Sequence, residues 1–319
     1  MKAAEHQALE QVEGALDVAV REQALELADQ VRRHDGVEAI SEASRLALAA
    51  GEAAVTHILA WRGGQLAGYC QRDREGASAE LAVAPPARRL GLAKAMIRTL
   101  AADTPQVRLW AHGDLAAARR VAESVGLAPV RELREMTSDR RRAAHNPAAD
   151  AAAPTPAPSS PDAPAAVGGP AASVVFREFD PRTDRAAWVE LNAAAFVGHP
   201  EQGKLTAGDL DRRMAESWFD AAGLVFAELR GGDGQGGRLV GYVWTKVVGA
   251  LGEIYAIGVR PEAQGMRLGT KLLEIGLAHM ERRGITEIRL FVEADNAPAA
   301  AAYRRQGFRV TRRDVQYAF

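Results

Sequence analysis

From residue 173 onward, short apolar runs and helical spacings follow one another along the chain. Residues 174–179, Val-Val-Phe-Arg-Glu-Phe, read as an edge strand, and Asp184 is placed to cap a helix through Trp188, Leu191 and Phe196. Residues 223–228 and 239–244 read as paired strands across a glycine-rich turn at 231–237. A strand from Glu253 to Val259 leads into a helix whose Leu268, Leu272, Leu273, Leu277 and Met280 fall on one face. The strand Ile288–Val292, a short helix over 298–305 and a last strand from Phe308 complete the pattern.

Part of this pattern occurs twice. Ala87-Arg88-Arg89-Leu90-Gly91-Leu92-Ala93 parallels Ala263-Gln264-Gly265-Met266-Arg267-Leu268-Gly269, an offset of 176 that also lays Val83 on Val259 and Pro85 on Pro261. Ser124-Val125-Gly126-Leu127 parallels Arg305-Gln306-Gly307-Phe308 at an offset of 181, which carries Asp114 onto Asp295. Offsets held across several landmarks indicate a duplicated strand–loop–helix–strand–helix unit. Between the copies, 18 of the 26 residues from Pro147 to Ala172 are Ala or Pro. Such a segment has little to bury against its ordering entropy and reads as an extended, partly stiff linker. The expected organisation is residues 1–142, a linker over 143–172, and residues 173–319.

Composition narrows the classes. A chain of 319 residues suits two domains, and 47% hydrophobic with 25% charged residues is ordinary for a globular protein. The net charge of −1 favours neither nucleic acid nor an anionic membrane. The single cysteine, Cys70, excludes an internal disulfide and a cysteine-rich metal site. The opening residues lack an apolar signal region, and no run approaches a membrane span, so a cytoplasmic monomer without a metal is expected.

In each copy an apolar strand meets a proline, then Arg or Gln, then a loop entering a helix. Backbone N–H groups at a helix start form an anion site, and small residues let the backbone close on a pyrophosphate. An ordinary strand-to-helix turn would look the same in one copy; its recurrence favours the anion site. Here the chain resembles the GCN5-related N-acetyltransferase family, which carries Gln/Arg-x-x-Gly-x-Gly/Ala at this place. The resemblance implies an α/β fold with a mixed sheet, present twice in tandem, and acetyl-CoA as co-substrate, one for each copy. It assigns to the cofactor Ile257, Gly258, Val259, Gln264, Gly265, Met266, Arg267, Leu268, Gly269, Thr270 and Asn296. In the first copy it assigns Leu81, Ala82, Val83, Arg89, Leu90, Gly91, Leu92, Ala93 and Lys94. The second loop departs from the pattern, because Arg267 stands where the central glycine is usual. Its side chain must point away from the phosphates or reach round to them.

More specific segments lie outside the loop: 194–203 with His199-Pro200-Glu201-Gln202-Gly203, Trp218-Phe219-Asp220, Trp244-Thr245-Lys246, Leu251-Gly252-Glu253-Ile254-Tyr255, and 109–115 in the first half. These are similar to the mycothiol acetyltransferase branch of the family. That resemblance implies transfer of acetyl to the cysteinyl amine of desacetylmycothiol (Cys-GlcN-inositol). It implies Glu253 as general base, Tyr303 as the acid toward the CoA sulfur, and Glu42, Glu201, Lys246 and Glu253 as substrate contacts. Phe291 stands where the family often has tyrosine, which removes one hydroxyl contact.

The chemistry suits these residue types. Amide formation needs a neutral amine, and a cysteinyl α-amine titrates near neutrality, so a modest base is enough. The plainer alternatives are a surface carboxylate for Glu253, a packing tyrosine for Tyr303 and a solvated helix face for Glu42. His112 and His199, with no partner evident in the sequence, read as structural. At the repeat offsets Glu253 falls on Ala77 and Tyr303 on Ala122. The first copy is therefore expected to bind acetyl-CoA on a cleaner loop without turning over. An acetyltransferase for another amine and a non-catalytic acyl-CoA sensor are the competing readings.

Overall fold

The computed structural model describes residues 7–52, 54–73, 78–143, 173–199, 201–231 and 237–319. The Ala/Pro linker from residue 144, most of the glycine-rich turn and Ala77 lie outside these. Two compact units emerge. The first comprises residues 1–134 with 293–295 and 312–319; the second comprises 135–292 with 296–311. These units differ from the division read in the sequence at 135–142, 293–295 and 312–319.

In the first unit β1 (Gln7–Glu13) precedes helices α1 (Val18–Asp35) and α2 (Glu42–Ala50). Strands β2 (Thr56–Arg62), β3 (Gln65–Arg72) and β4 (Ser78–Val83) follow, then α3 (Leu92–Asp103), β5 (Arg108–Ala111) and α4 (Ala116–Val125). β1 to β4 pair antiparallel in sequence order, and β4 pairs parallel with β5. The segment 315–317 completes this sheet, antiparallel to β5 through Val315↔Ala111 and Tyr317↔Leu109. Ile58, Leu59, Tyr69, Met96 and Leu100 form its core, with Val315 and Tyr317 packed among them.

The chain continues through β6 (Ala128–Asp139) and α5 (Arg140–Ala143). The second unit then runs β7 (Ser173–Glu178), α6 (Arg185–Ala195), α7 (Ala207–Met214), β8 (Leu224–Arg230), β9 (Arg238–Val248) and β10 (Leu251–Val259). It ends with α8 (Leu268–Arg282), β11 (Glu287–Glu293), α9 (Ala297–Arg305) and β12 (Arg309–Ala318). β7 to β10 pair antiparallel in order and β10 pairs parallel with β11. β7 and β11 confirm the strands expected at 174–179 and 288–292, and α8 and α9 the expected helices.

Two apolar layers cover the two faces of this sheet. Leu272, Leu273, Leu277 and Met280 of α8 pack on Ile288, Leu290 and Phe308, as the helical spacing and the alternation of β11 require. Each such side chain contributes roughly 1.5–3 kcal/mol by leaving water. Gly276 lets α8 approach closely, since a Cβ there would lie 2.9 Å from Val243 and 3.0 Å from Ile254. On the other face Trp188, Tyr242, Trp244 and Phe226 pack beneath α6 and α7. Asp184 precedes α6 but makes no side-chain cap. Its carboxylate instead takes both Arg177 nitrogens, at 2.6 and 3.0 Å, and the Asp180 N–H. A bidentate guanidinium outcompetes a single cap hydrogen bond.

Candidate active site

β10 changes partners along its length. It pairs with β11 from Leu251↔Glu287 to Ile254↔Leu290, and among the described residues the ladder goes no further. On its other edge β9 follows it to Val259↔Gly241, with a bulge at Tyr255. A bulge adds local twist and re-aims side chains. Beyond Ile254, then, one edge of β10 is left by β11, and the backbone groups of residues 255–259 on that side face a wedge between the strands. Ile257, Gly258 and Val259 fall in this stretch. In the first unit β4 likewise pairs with β5 only at Ser78↔Arg108 and Ala79↔Leu109, leaving Leu81, Ala82 and Val83 on β3 alone. β4 carries no bulge, so the constant offset of 176 fails before Tyr255 and the register puts Ser78, not Ala77, at the place of Glu253.

Both strands end in the same loop. A single 3-10 turn, Pro85–Ala87 or Pro261–Ala263, leads to a helix with no side-chain cap and no acidic residue in its first turn. The first N–H groups, those of Leu92, Ala93 and Lys94 and of Leu268, Gly269 and Thr270, precede the first helical bonds from Ala95 to Gly91 and from Lys271 to Arg267. Such N–H groups and the positive end of the helix suit a phosphate. Two positions in each loop are left-handed: Arg89 (φ 67°) and Gly91 (φ 86°) in the first, Gly265 (φ 87°) and Arg267 (φ 58°) in the second. The offset of 176 aligns Arg89 with Gly265 and Gly91 with Arg267. Each copy thus puts glycine at one left-handed position and arginine at the other, so the first loop is not the cleaner one. Alignment of the two copies already contained that signal. Leu90 and Met266 occupy the same place in the two loops, each 46% exposed. Gln264 is exposed. Its counterpart Arg88 forms a bidentate pair with Asp35 at 2.7 and 2.8 Å.

Glu253 stands where the wedge opens and is 8% exposed. Gly252 and Ile254 face α8, so Glu253 faces the opposite side of the sheet. Arg289, its cross-strand partner on β11, donates from Nε to Glu253 Oε2 at 2.8 Å. Nothing in the sequence announced Arg289, because the pairing depends on strand register. Lys246 is the partner on β9. Its Nζ lies 4.7 Å from the Trp218 ring centre and 5.3 Å from that of Tyr255, a cation–π clamp. Arg213 Nε donates to the Tyr255 hydroxyl at 2.7 Å.

Tyr303, on α9, lies in the α8 layer against Phe308 and is 8% exposed. Burial pushes its hydroxyl up to about 12, so it holds its proton at neutral pH. Tyr303 and Glu253 thus belong to opposite faces of the sheet. The counterpart of Tyr303, Ala122, is buried on α4. Asn296 caps α9, its side chain accepting the Ala299 N–H at 3.2 Å.

Glu201 is exposed beside His199, whose Nδ1 accepts the N–H groups of Glu201 and Gln202 at 3.3 and 3.0 Å. Asn192 holds this loop to α6 through the Gln202 carbonyl and also accepts the Tyr242 hydroxyl. Glu42, half-buried, is the first residue of α2, which Ser41 caps. His112 has the partners that were not evident in the sequence. Its ring nitrogens meet Glu80 Oε1 at 2.9 Å and Asp314 Oδ2 at 3.2 Å. Together these carboxylates outweigh burial and raise the imidazole to about 10. No group of three or more His, Cys, Asp or Glu among the described residues is arranged to hold a metal ion, and no described helix is long and apolar enough to cross a membrane.

Comparison with known proteins agrees with this geometry. The model of the acetyltransferase (GNAT) family matches residues 18–127 and 186–308. The mycothiol acetyltransferase of Streptomyces bingchenggensis is 42% identical over 305 residues, covering 93% of this chain and 92% of that protein. That of Cellulomonas flavigena is 40% identical, covering 97% and 88%. The chain belongs to the acetyltransferase (GNAT) family, on its mycothiol acetyltransferase branch. As a GNAT protein it is an N-acetyltransferase that uses acetyl-CoA. Two solved tandem-length GNAT structures share the fold. A GCN5-related N-acetyltransferase from Sphaerobacter thermophilus has a TM-score of 0.60 at 22% identity, covering 96% of this chain and 94% of that one. A tandem GNAT protein of the clavulanic acid biosynthesis pathway has a TM-score of 0.62 at 17% identity, covering 98% of each.

Proposed function

We propose that this chain transfers the acetyl group of acetyl-CoA to the cysteinyl amine of desacetylmycothiol in the cytoplasm, with the chemistry carried by residues 173–319. The observation that carries the reading is the placement of Glu253 near the point where β10 parts from β11, with a protonated Tyr303 in the α8 layer on the other face of the sheet. The amides of Ile257 and Val259 and the uncapped start of α8 suit a long thioester ending in phosphates. Glu253 takes a proton from the acceptor ammonium, directly or through water. The neutral amine then bonds to the acetyl carbon, the C–S bond breaks, Tyr303 gives the leaving thiolate a proton, and the second proton shed by the new amide nitrogen passes through water to restore Tyr303. Lys246 and Glu201 offer charged and hydrogen-bonding contacts to a hydroxyl-rich acceptor. The first copy, through residue 142, takes a second acetyl-CoA on its own loop and does not turn over, since the strand register puts Ser78 rather than a carboxylate at the place of Glu253 and Ala122 has no hydroxyl to give a proton.

The test is CoA release by the full chain with desacetylmycothiol, glucosamine, cysteine amide and an N-terminal peptide as acceptors. Desacetylmycothiol should be preferred by at least a hundredfold in kcat/KM. An equal or higher rate with another amine would redirect the assignment to that amine.

A further inference from the structure

We propose that Arg289 is the positioning residue of this site: it anchors the Glu253 carboxylate at the head of the wedge between β10 and β11. The inference rests on the reading of Glu253 as the base. Three features carry it. Glu253 and Arg289 are cross-strand partners one residue before the parallel ladder ends at Ile254↔Leu290, so their pairing lies where β11 still fixes β10. The contact is made by Nε at 2.8 Å, which ties the guanidinium plane as well as its charge to Oε2. Finally, β11 has no packing need for an arginine here. Its apolar face consists of Ile288, Leu290 and Val292, while Arg289 lies on the other face with its guanidinium 5.6 Å from the Phe291 ring centre.

The surrounding charges give the contact a measurable consequence. Lys246 on β9 is the other cross-strand neighbour of Glu253, and its ammonium lies over the Trp218 and Tyr255 rings. Arg213 on α7 reaches the Tyr255 hydroxyl. Glu135 on β6 leans on the same guanidinium, with Oε2 3.9 Å from Arg289 Nη1. Arg289 therefore meets two carboxylates, and its loss removes the Nε contact from the largely buried Glu253. An opposite charge at this range favours the ionised carboxyl, so removing it disfavours that form in Glu253.

The experiment compares R289Q, R289K and E253Q in the full chain. Carboxyl carbon NMR of glutamate-labelled protein, with E253Q identifying the Glu253 signal, gives the protonation midpoint of that residue. Steady-state assays with desacetylmycothiol give kcat and both KM values. In R289Q the midpoint should rise by at least one pH unit. Its kcat should fall at least tenfold near pH 7, while the acetyl-CoA KM stays within twofold. R289K should return the midpoint to within half a unit of wild type and recover only part of kcat, since lysine keeps the charge without the fixed Nε contact. An unmoved midpoint in R289Q, or an unchanged kcat, overturns the proposal. Should R289Q not fold, R289K decides: wild-type kcat in that variant overturns it, and a loss of threefold or more supports it. The base assignment is tested separately by E253Q. Wild-type turnover there removes the base and this inference with it, whereas an inactive E253Q beside an unaffected R289Q removes Arg289 alone.

Discussion

Replacing His112 with glutamine isolates the most buried ionic cluster of the first unit. The imidazole bridges Glu80 and Asp314, whose side chains are 5% and 7% exposed. Removing one member of a buried ionic group costs about 3–5 kcal/mol, because the partners keep their desolvation penalty without the attraction. Here part of that penalty stays covered. Glu80 still accepts the Ser41 N–H and hydroxyl, and Asp314 still accepts the Gly113 N–H at 2.7 Å. The lower figure of about 3 kcal/mol therefore applies, or on the order of 10 °C in the melting transition of a unit this size. The pH dependence follows from the direction of each shift. His112 is raised from 6.5 to about 10, so its contribution is complete below pH 6.5 and is lost as pH climbs through about 10. Glu80 and Asp314 are lowered from 4.5 and 3.8, so theirs is complete above those values and is lost as pH falls through the depressed ones. The gap between wild type and His112→Gln should be widest between pH 4.5 and 6.5 and should shrink toward pH 10. Calorimetric melts at pH 5.5, 7.5 and 9.5 measure it. A difference under 2 °C at pH 5.5, or one that is the same at all three values, would refute the reasoning.

Glu253→Ala and Tyr303→Phe should each lower kcat by roughly 10²–10⁴, and a double variant with wild-type turnover in the CoA-release assay would remove both from the chemistry. Arg267→Gly exchanges a left-handed arginine for a residue that adopts φ 58° freely; a non-glycine residue there costs roughly 1–2 kcal/mol, partly offset by the entropy of glycine. Its melting temperature should rise by about 1–3 °C, and a fall would show that the arginine side chain stabilises the loop.

The hydrophobic periods and the repeat offsets determined the elements of the second unit, the two loops and the places of Glu253 and Tyr303. Each of those signals is local: a helix shows its buried face every three to four residues, a strand every two, and a duplicated loop keeps its spacing. The reciprocal left-handed positions were also present in the alignment of the two copies. Only the tertiary structure decided the rest. Arg289 meets Glu253 because β10 and β11 run parallel in one register, and nothing in either strand alone specifies that register. The bulge at Tyr255 and the parting of the strands turn an ordinary strand into the wall of a wedge. Asp184 looked like a cap until Arg177 was folded beside it. His112 looked solitary because Glu80 and Asp314 are 32 and 202 residues away in the chain. Composition and spacing specify which side chains are buried and on which face; which charges meet is a property of register and chain path, and it is set when the strands pair.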